Sequence, residues 1–378
     1  MDNLAHSLVG LTSAKAGLER LSPYATTVCV ISANAADADF VSLLFGDRWT
    51  LLQHHRGITH SVVGTIAIGL MIPAIAYAIE RIISSIRKRT PRIRFRGLLL
   101  ASVVAATTHP LMDWTNNYGV RPLLPWSGHW FYGDLVFIAD PYIWLVLGTV
   151  AFLLTSDTRR KMFGWSMIGL IATIVIGLAS SQSGPEGNAL RIAMAVWLLG
   201  IALAILLRRL HVLRGMGQRS AIAALAIVAV YWGVLAIAHR AAFANALSIA
   251  NNVAASRGEQ VMRVAAMPTA ATPFRWQSVA ETDRAIYRYV VTTGEASTVG
   301  NFARFGKPTG AEAQLASLAE HDRRAQALLG FARFPLARLE GDNCIGQALV
   351  QFADLRYTEP GAARGNFSVN IPVDCPSR

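Results

Sequence analysis

The sequence predicts a mainly α-helical fold: a polytopic membrane bundle of about six spans with an N-terminal helical hairpin, followed by a small α+β extracytoplasmic domain. Three observations carry this. Of 378 residues, 53% are hydrophobic and 15% charged, with a mean hydropathy of +0.38, whereas roughly a quarter of the residues in an ordinary soluble domain are charged. Apolar runs near the roughly 17–25 residues that cross a bilayer recur along the first part of the chain. From Ala241 they stop, charge rises, and Pro, Gly and Thr become frequent.

Residues 1–14 show no basic flank before an apolar core, so a cleaved signal peptide is not expected and a later hydrophobic segment must direct insertion. Stretches 4–17 and 24–36 both read as helix but are short for a span, and Lys15, Glu19, Arg20 and Ser22-Pro23 mark a turn between them. A shallow hairpin of this kind brings His6 and the Asp37/Asp39 pair to one level. Spans are expected at 62–83, 97–112, 138–154, 162–180, 190–207 and 221–238.

The net charge of +12 resides largely in short basic runs between spans. Arg87, Lys88, Arg89, Arg92, Arg94 and Arg96 follow the first span, Arg159, Arg160 and Lys161 the third, and Arg208, Arg209, Arg214 and Arg219 the fifth. Simple alternation puts all three runs on one side, which the positive-inside rule makes cytoplasmic. The loops 113–137 and 181–188, the residues before 62 and everything after 238 then lie outside. No aromatic-interleaved basic module accompanies the runs, so the lipid bilayer is the expected partner and no specific nucleic acid is expected.

The expected division is 1–155, a membrane domain carrying the chemistry; 156–240, further spans; and 241–378, the soluble domain. In the last, helix continues to 258, strands are expected at 274–279, 285–292, 347–357 and 367–373, and a helix at 311–329. No catalytic motif occurs there, and His321 reads as solvated helix surface. Cys344 and Cys375 could pair in an oxidising compartment or remain as two thiols, while Cys29 reads as a small buried hydrophobe.

Six of the nine histidines, His6, His54, His55, His60, His109 and His129, fall in the first 130 positions, and the topology puts all six near one face. Ionisable residues beside spans are costly and persist chiefly where they pair, bind ions or line a wet cavity. His109 and Asp113 stand at i and i+4, hence on one helical face at the outer end of a span. In the run His54-His55-Arg56-Gly57-Ile58-Thr59-His60-Ser61, Gly57 permits a turn that folds imidazoles toward a common point. Asp37 and Asp39 follow an apolar run, which is costly unless a cation or donors receive them. Imidazoles and carboxylates together suit zinc, with manganese or magnesium as alternatives, and such a site can activate water at a phosphoryl or acyl group. The expected ligands are His6, Asp37, Asp39, His55, His60, His109 and Asp113. Arg56 is placed to hold an anionic substrate group, and Asp140 to serve as a further ligand or base, although Asp140-Pro141 equally suits a helix N-cap.

The ordered set Met1 to His6 with Gly10, Asp37-Ala38-Asp39, His55 to Ser61, and His109 to Asp113 with Thr115 and Tyr118-Gly119 resembles the LexA-regulated, membrane-bound metal-dependent hydrolase family, over roughly residues 1–155. That family usually has Pro-Asp-x-Asp where this chain has Ala36-Asp37-Ala38-Asp39. The resemblance implies a hydrolase of the bacterial inner membrane, assigned by analogy to helical zinc phosphoesterases such as phospholipase C and single-strand nucleases. Members of that family are linked to the DNA-damage response through their regulation, and the resemblance does not imply the substrate; a membrane-associated phosphorylated or lipid substrate is the partner expected beside the bilayer.

Other readings have specific features against them. Arg121-Pro122 and Pro125-Trp126-Ser127-Gly128-His129 resemble elements of lipid phosphatases with a histidine nucleophile, but the His-x-x-x-Asp element comes before them and Trp126 interrupts the second. A transporter would want polar residues at mid-membrane, and the spans from 162 onward offer almost none. A membrane scaffold with a partner-binding exported domain stays as the non-enzymatic alternative.

Overall fold

The computed structural model describes residues 1–181, 185–212, 215–294, 302–340, 346–361 and 367–375. It divides into two compact units. The first comprises Met1–Ala38, Arg56–Ala238 and Pro268–Phe274; the second comprises Asp39–His55, His239–Met267 and Arg275–Arg378.

The first unit is a helical bundle. Helix α1 (Asn3–Lys15) starts at Asp2, whose side chain accepts the Ala5 amide at 3.0 Å, and α2 (Ala25–Asn34) returns beside it. A Cβ at Gly10 would lie 2.8 Å from the Cys29 carbonyl, so glycine is what lets these two backbones approach. The hairpin expected from sequence is present, but its second arm is longer: a 3-10 segment, Ala35–Leu44, continues from α2, giving a 20-residue apolar stretch. Sequence reading ended this helix at the carboxylates of Asp37 and Asp39, whereas the apolar Phe40, Val41, Leu43 and Leu44 carry it onward.

Among the described residues, six helical stretches are long and apolar enough to cross a membrane: Ala25–Leu44, Val62–Ile86, Phe95–Trp114, Arg159–Ser180, Gly187–Arg209 and Gly217–Ser256. The number agrees with the sequence reading; the set does not. The stretch 138–154 becomes α6 (Pro141–Thr155), only 15 residues, or about 22 Å against a hydrocarbon core of roughly 30 Å. It starts late because a residue before proline avoids helical ψ, and Asp140 is accordingly extended at φ −112°, ψ 110°.

The remaining bundle helices are α4 (Val62–Ile86), α5 (Phe95–Trp114), α7 (Arg159–Ser180), α8 (Pro185–Arg209) and, as far as Ala238, α9 (Gly217–Ser256). Small side chains line the α2–α5 contact: Ala25, Cys29, Ala33, Ala101 and Ala105 are all buried, as membrane helices pack where small residues let backbones close in. Loop 181–188 is described only in part, since 182–184 lie outside the described residues, as does Arg214.

The second unit contains α3 (Arg48–His54), α10 (Gly310–Ala319), α11 (Arg323–Phe331) and two sheets. One sheet has the order β1 (Val261–Thr269), β2 (Thr272–Thr282), β3 (Ala285–Thr292), β4 (Ala303–Gly306), with β2–β3 and β3–β4 antiparallel. The other is antiparallel in the order β5 (Pro335–Glu340), β6 (Gln347–Asp354), β7 (Ser368–Asp374). The helix expected at 311–329 is broken at Glu320–Asp322, where Asp322 caps a new helix through the Arg324 amide. Trp49 of α3 is buried in one core with Leu315, Leu328, Val350, Phe352, Val369 and Ile371. Cys375 is disulfide-bonded; Cys344, which sequence reading left either paired with it or as a free thiol, lies outside the described residues. Cys29 is buried and free, as expected.

Two carboxylates tie the first sheet together. Glu259 accepts from the Thr282 hydroxyl (2.7 Å), the Tyr287 hydroxyl (2.8 Å) and Arg304 (2.8 Å), and Glu281 accepts from Arg263 and from Lys307 (2.7 Å). Burial pushes both acids up, but these donors outweigh it and hold both below the ordinary glutamate value of 4.5. A depressed folded value means stability that is full above 4.5 and lost as pH falls through the lower folded value. Melting of the full chain in detergent is therefore expected to drop below about pH 4.5, and Glu259→Gln to flatten that acid limb. An acid limb of unchanged slope in the variant would refute the assignment.

Candidate metal centre

Four stretches of the first unit deliver side chains to one end of the bundle. Helix α5 carries His109 and Asp113 one turn apart. The 3-10 turn Ile58–His60 sets His60 just before α4, whose N-cap Ser61 accepts the Gly64 amide at 3.1 Å. Any Cβ at Gly64 would run into the Ile58 carbonyl, so glycine is required for this turn to fold against the helix. Asp37 follows α2, and His6 lies on α1.

Their donor atoms converge. His60 Nε2 and His109 Nε2 are 3.1 Å apart; His60 Nε2 is 3.5 Å from Asp37 Oδ1 and 3.2 Å from Asp113 Oδ2; His109 Nε2 is 3.5 Å from each of those same oxygens. The tautomer of His109 follows from its other nitrogen: Nδ1 lies 2.7 Å from the Ala33 carbonyl oxygen, which can only accept. Nδ1 thus holds the proton and Nε2 offers a lone pair. That lone pair faces another imidazole nitrogen and two carboxylate oxygens, a donor set that suits a divalent cation. Four ligands at the roughly 2.0–2.2 Å bond lengths of zinc sit about 3.3–3.5 Å from one another on a tetrahedron. Five of the six distances among these four groups are those just given, and all four donor atoms fall within 4.8 Å of one another.

His6 completes the arrangement. It is fully buried and stacks on His109 with ring centroids 3.8 Å apart and planes 10° apart. Its Nε2 comes within 3.4 Å of Asp113 Oδ1 without hydrogen-bond alignment, and neither ring nitrogen has a hydrogen-bond partner. A fully buried imidazole with both nitrogens unsatisfied is costly, and a cation within reach of Nε2 would satisfy one of the two. The residues present therefore fit a divalent ion.

Arg56 is positioned differently from the substrate clamp expected of it. It is 2% exposed, adopts φ 53°, and its guanidinium donates to Asp113 Oδ1 (2.9 Å), the Asn116 side-chain oxygen (2.9 Å) and the Gly119 carbonyl (3.1 Å), with Tyr118 against its face. It holds Asp113 in place. The unusual backbone of this turn thus falls at Arg56 rather than Gly57, whose φ is −86°. Asp140 is spent on structure: Oδ1 accepts the Tyr142 and Ile143 amides at 2.8 and 3.1 Å, and Oδ2 the Tyr231 hydroxyl at 3.0 Å. Asp39 and His55 belong to the second unit and pair with each other, Oδ1 to Nδ1, at 3.0 Å. His54 and His129 are exposed, and Trp126 is 79% exposed, so the phosphatase-like element gathers no buried site.

Two partners escaped sequence reading. The Met1 α-amine forms an ion pair with Asp113, and Asn116, three residues past Asp113, anchors Arg56; a polar residue one turn beyond the carboxylate was the available signal for the second.

Comparison with known proteins covers the same segment. Residues 1–184 match the YdjM inner membrane protein family. The four convergent groups and His6 all lie inside this YdjM-like region. A relative from Bacillus subtilis (strain 168), described as uncharacterized protein YfhP, is 27% identical over 155 residues, covering 38% of this chain and 43% of the relative. The chain thus spans less than half of that relative's length. No solved structure matches. With the six apolar stretches, the YdjM match makes the chain a multi-pass membrane protein.

Proposed function

We propose that this chain is a metal-dependent hydrolase of the bacterial inner membrane, acting on a phosphoester or related bond at the outer face. The observation that carries the reading is the facing set of imidazole Nε2 atoms and carboxylate oxygens at tetrahedral ligand spacing. Asp37, His60, His109 and Asp113 would hold the ion, with His6 as a further nitrogen donor, and imidazole with carboxylate favours zinc over magnesium, manganese being intermediate. A divalent ion there would supply Lewis acidity toward a phosphoryl or acyl oxygen and make water a better nucleophile near neutral pH.

The protein's own part is to fix those donors. The Ala33 carbonyl locks the His109 tautomer and ring, Arg56 immobilises Asp113, and Thr59 Oγ1 engages His60 Nδ1 at 3.0 Å. Asp37 is the least buried of the four at 9% exposure, so a substrate would approach from its side. The outer placement rests on the basic run at 87–96, which joins the ends of α4 and α5 remote from His60, His109 and Asp113. The disulfide at Cys375 supports an oxidising compartment for the C-terminal residues.

A second reading has its own observation. Three histidines at 0% and Asp113 at 1% exposure, with four donors at tetrahedral spacing, describe a closed centre, as structural zinc sites have, within a membrane scaffold. Turnover separates the two. Zinc-loaded protein in detergent, screened against phosphomonoesters, phosphodiesters and lipid-linked phosphates, is expected to hydrolyse at least one class, with Asp37→Ala reducing the rate at least 100-fold. Full metal occupancy with no turnover on any class would establish the structural role instead.

A further inference from the structure

Against the cluster lies a cavity of about 340 Å³ lined by His60, Val62, Thr65 and Ile66 from the start of α4, Pro110, Leu111 and Trp114 from the end of α5, and Val120, Pro122 and Phe131 from the following loop, with Thr107. Its size is within the roughly 300–1,000 Å³ of small-ligand sites. His60 belongs to both the cavity and the metal cluster. The mouth is formed by side chains of two membrane-crossing helices: Val62, Ile66 and Leu111 are each more than half exposed on the protein. In a bilayer crossed by these helices, those side chains would face the lipid near the boundary of headgroups and acyl chains. Inside, the walls are apolar except for His60 and two threonines. The Thr107 hydroxyl donates to the Val103 carbonyl at 2.8 Å, but the Thr65 hydroxyl is buried with no hydrogen-bond partner. An apolar slot open to the bilayer, with one unsatisfied hydroxyl and a metal-cluster imidazole at its inner end, fits an amphiphile that enters sideways.

We infer that this cavity seats one acyl chain of a phospholipid, with the ester linkage near Thr65 and the phosphate end directed toward the His60 side. Its catalytic consequence, that the substrate is a membrane phospholipid rather than a soluble phosphoester, rests on the hydrolase reading; the seating of the chain does not. A second apolar groove of about 400 Å³, between α1, α6, α7 and α8, shares no residue with the cluster and serves as the internal control.

The test is native mass spectrometry of delipidated, zinc-loaded full-length protein titrated with phosphatidylglycerol. One tightly retained lipid is expected, with retention at least tenfold weaker in Leu111→Trp and in Ile66→Trp, and unchanged in Leu198→Trp, which fills the control groove. Thr65→Val, nearly isosteric, is expected to weaken retention about fivefold, the size of one lost hydrogen bond. Equal retention in wild type and both cavity-filling variants, with zinc content unchanged, would overturn the proposal. Turnover then divides the rest. Loss of phosphatidylglycerol hydrolysis in Leu111→Trp with a short-chain soluble phosphoester still cleaved supports the substrate class, and equal loss on both substrates refutes it. Cavity-dependent retention without hydrolysis of anything overturns the hydrolase reading and leaves the acyl seat standing.

Discussion

A His60→Ala, His109→Ala double variant is expected to purify with background zinc where the wild-type chain carries near-stoichiometric metal, as read by elemental mass spectrometry. The reason is geometric. These two residues supply the closest nitrogen pair of the cluster, 3.1 Å apart, and each also faces both carboxylates. Removing both leaves Asp37 and Asp113 without the two neutral donors that suit zinc, and affinity falls by far more than the 10–100-fold typical of losing a supporting contact. Chelation of the wild type is expected to lower its melting temperature, because it removes the ion that would tie the imidazole nitrogens to the carboxylates, and the double variant is expected to be insensitive to chelator. Absence of metal from the wild type, even after reconstitution with zinc, manganese or magnesium, would remove the centre and leave the scaffold reading.

The second large effect concerns Arg56. With Asp113 replaced by Ala, measured in chelator so that metal loss is not counted, the guanidinium stays buried without its carboxylate. Breaking a buried pair in this way typically costs about 3–5 kcal/mol. Replacing both partners, as Arg56→Met with Asp113→Ala, removes the stranded charge, so the double variant is expected to be more stable than Asp113→Ala alone. Such non-additivity is the signature of direct coupling. If the double variant is instead the less stable, Arg56 is held by Asn116 and Gly119 rather than by Asp113.

How much of this was legible in the sequence follows from which residues speak locally. His109 and Asp113 share a helical face by period alone, and the polar run ending at His60 interrupts apolar surroundings where polarity is expensive; both led to the cluster. The spans were legible from hydropathy, and α6 was misjudged because proline's effect on Asp140 cut an apolar run that composition alone could not divide. What sequence could not separate is a carboxylate that caps from one that ligates. Asp140 and Asp37 both stand at the end of an apolar stretch, and only the fold shows that the first spends its oxygens on two amides and a tyrosine while the second faces imidazoles. Arg56 misled for a similar reason: adjacency to His55 suggested a substrate contact, whereas a left-handed backbone turns the side chain inward.

Trp49 has a consequence for how the chain comes to be. Its burial among Leu315, Leu328, Val350 and Ile371 means that the core around the second sheet includes a helix made long before any of the strands it packs with; Asp47, which caps that helix, is bridged to Arg323, 276 positions later. Loop closure of that length disfavours early contact, so α3 must wait, its indole uncovered, while most of the helical bundle is made. A fragment beginning at Ala241 would fold around a tryptophan-sized void, and a chain cut before Ala311 would leave the indole with no core to enter. Synthesis of the last strands thus completes the core that the Trp49 indole fills.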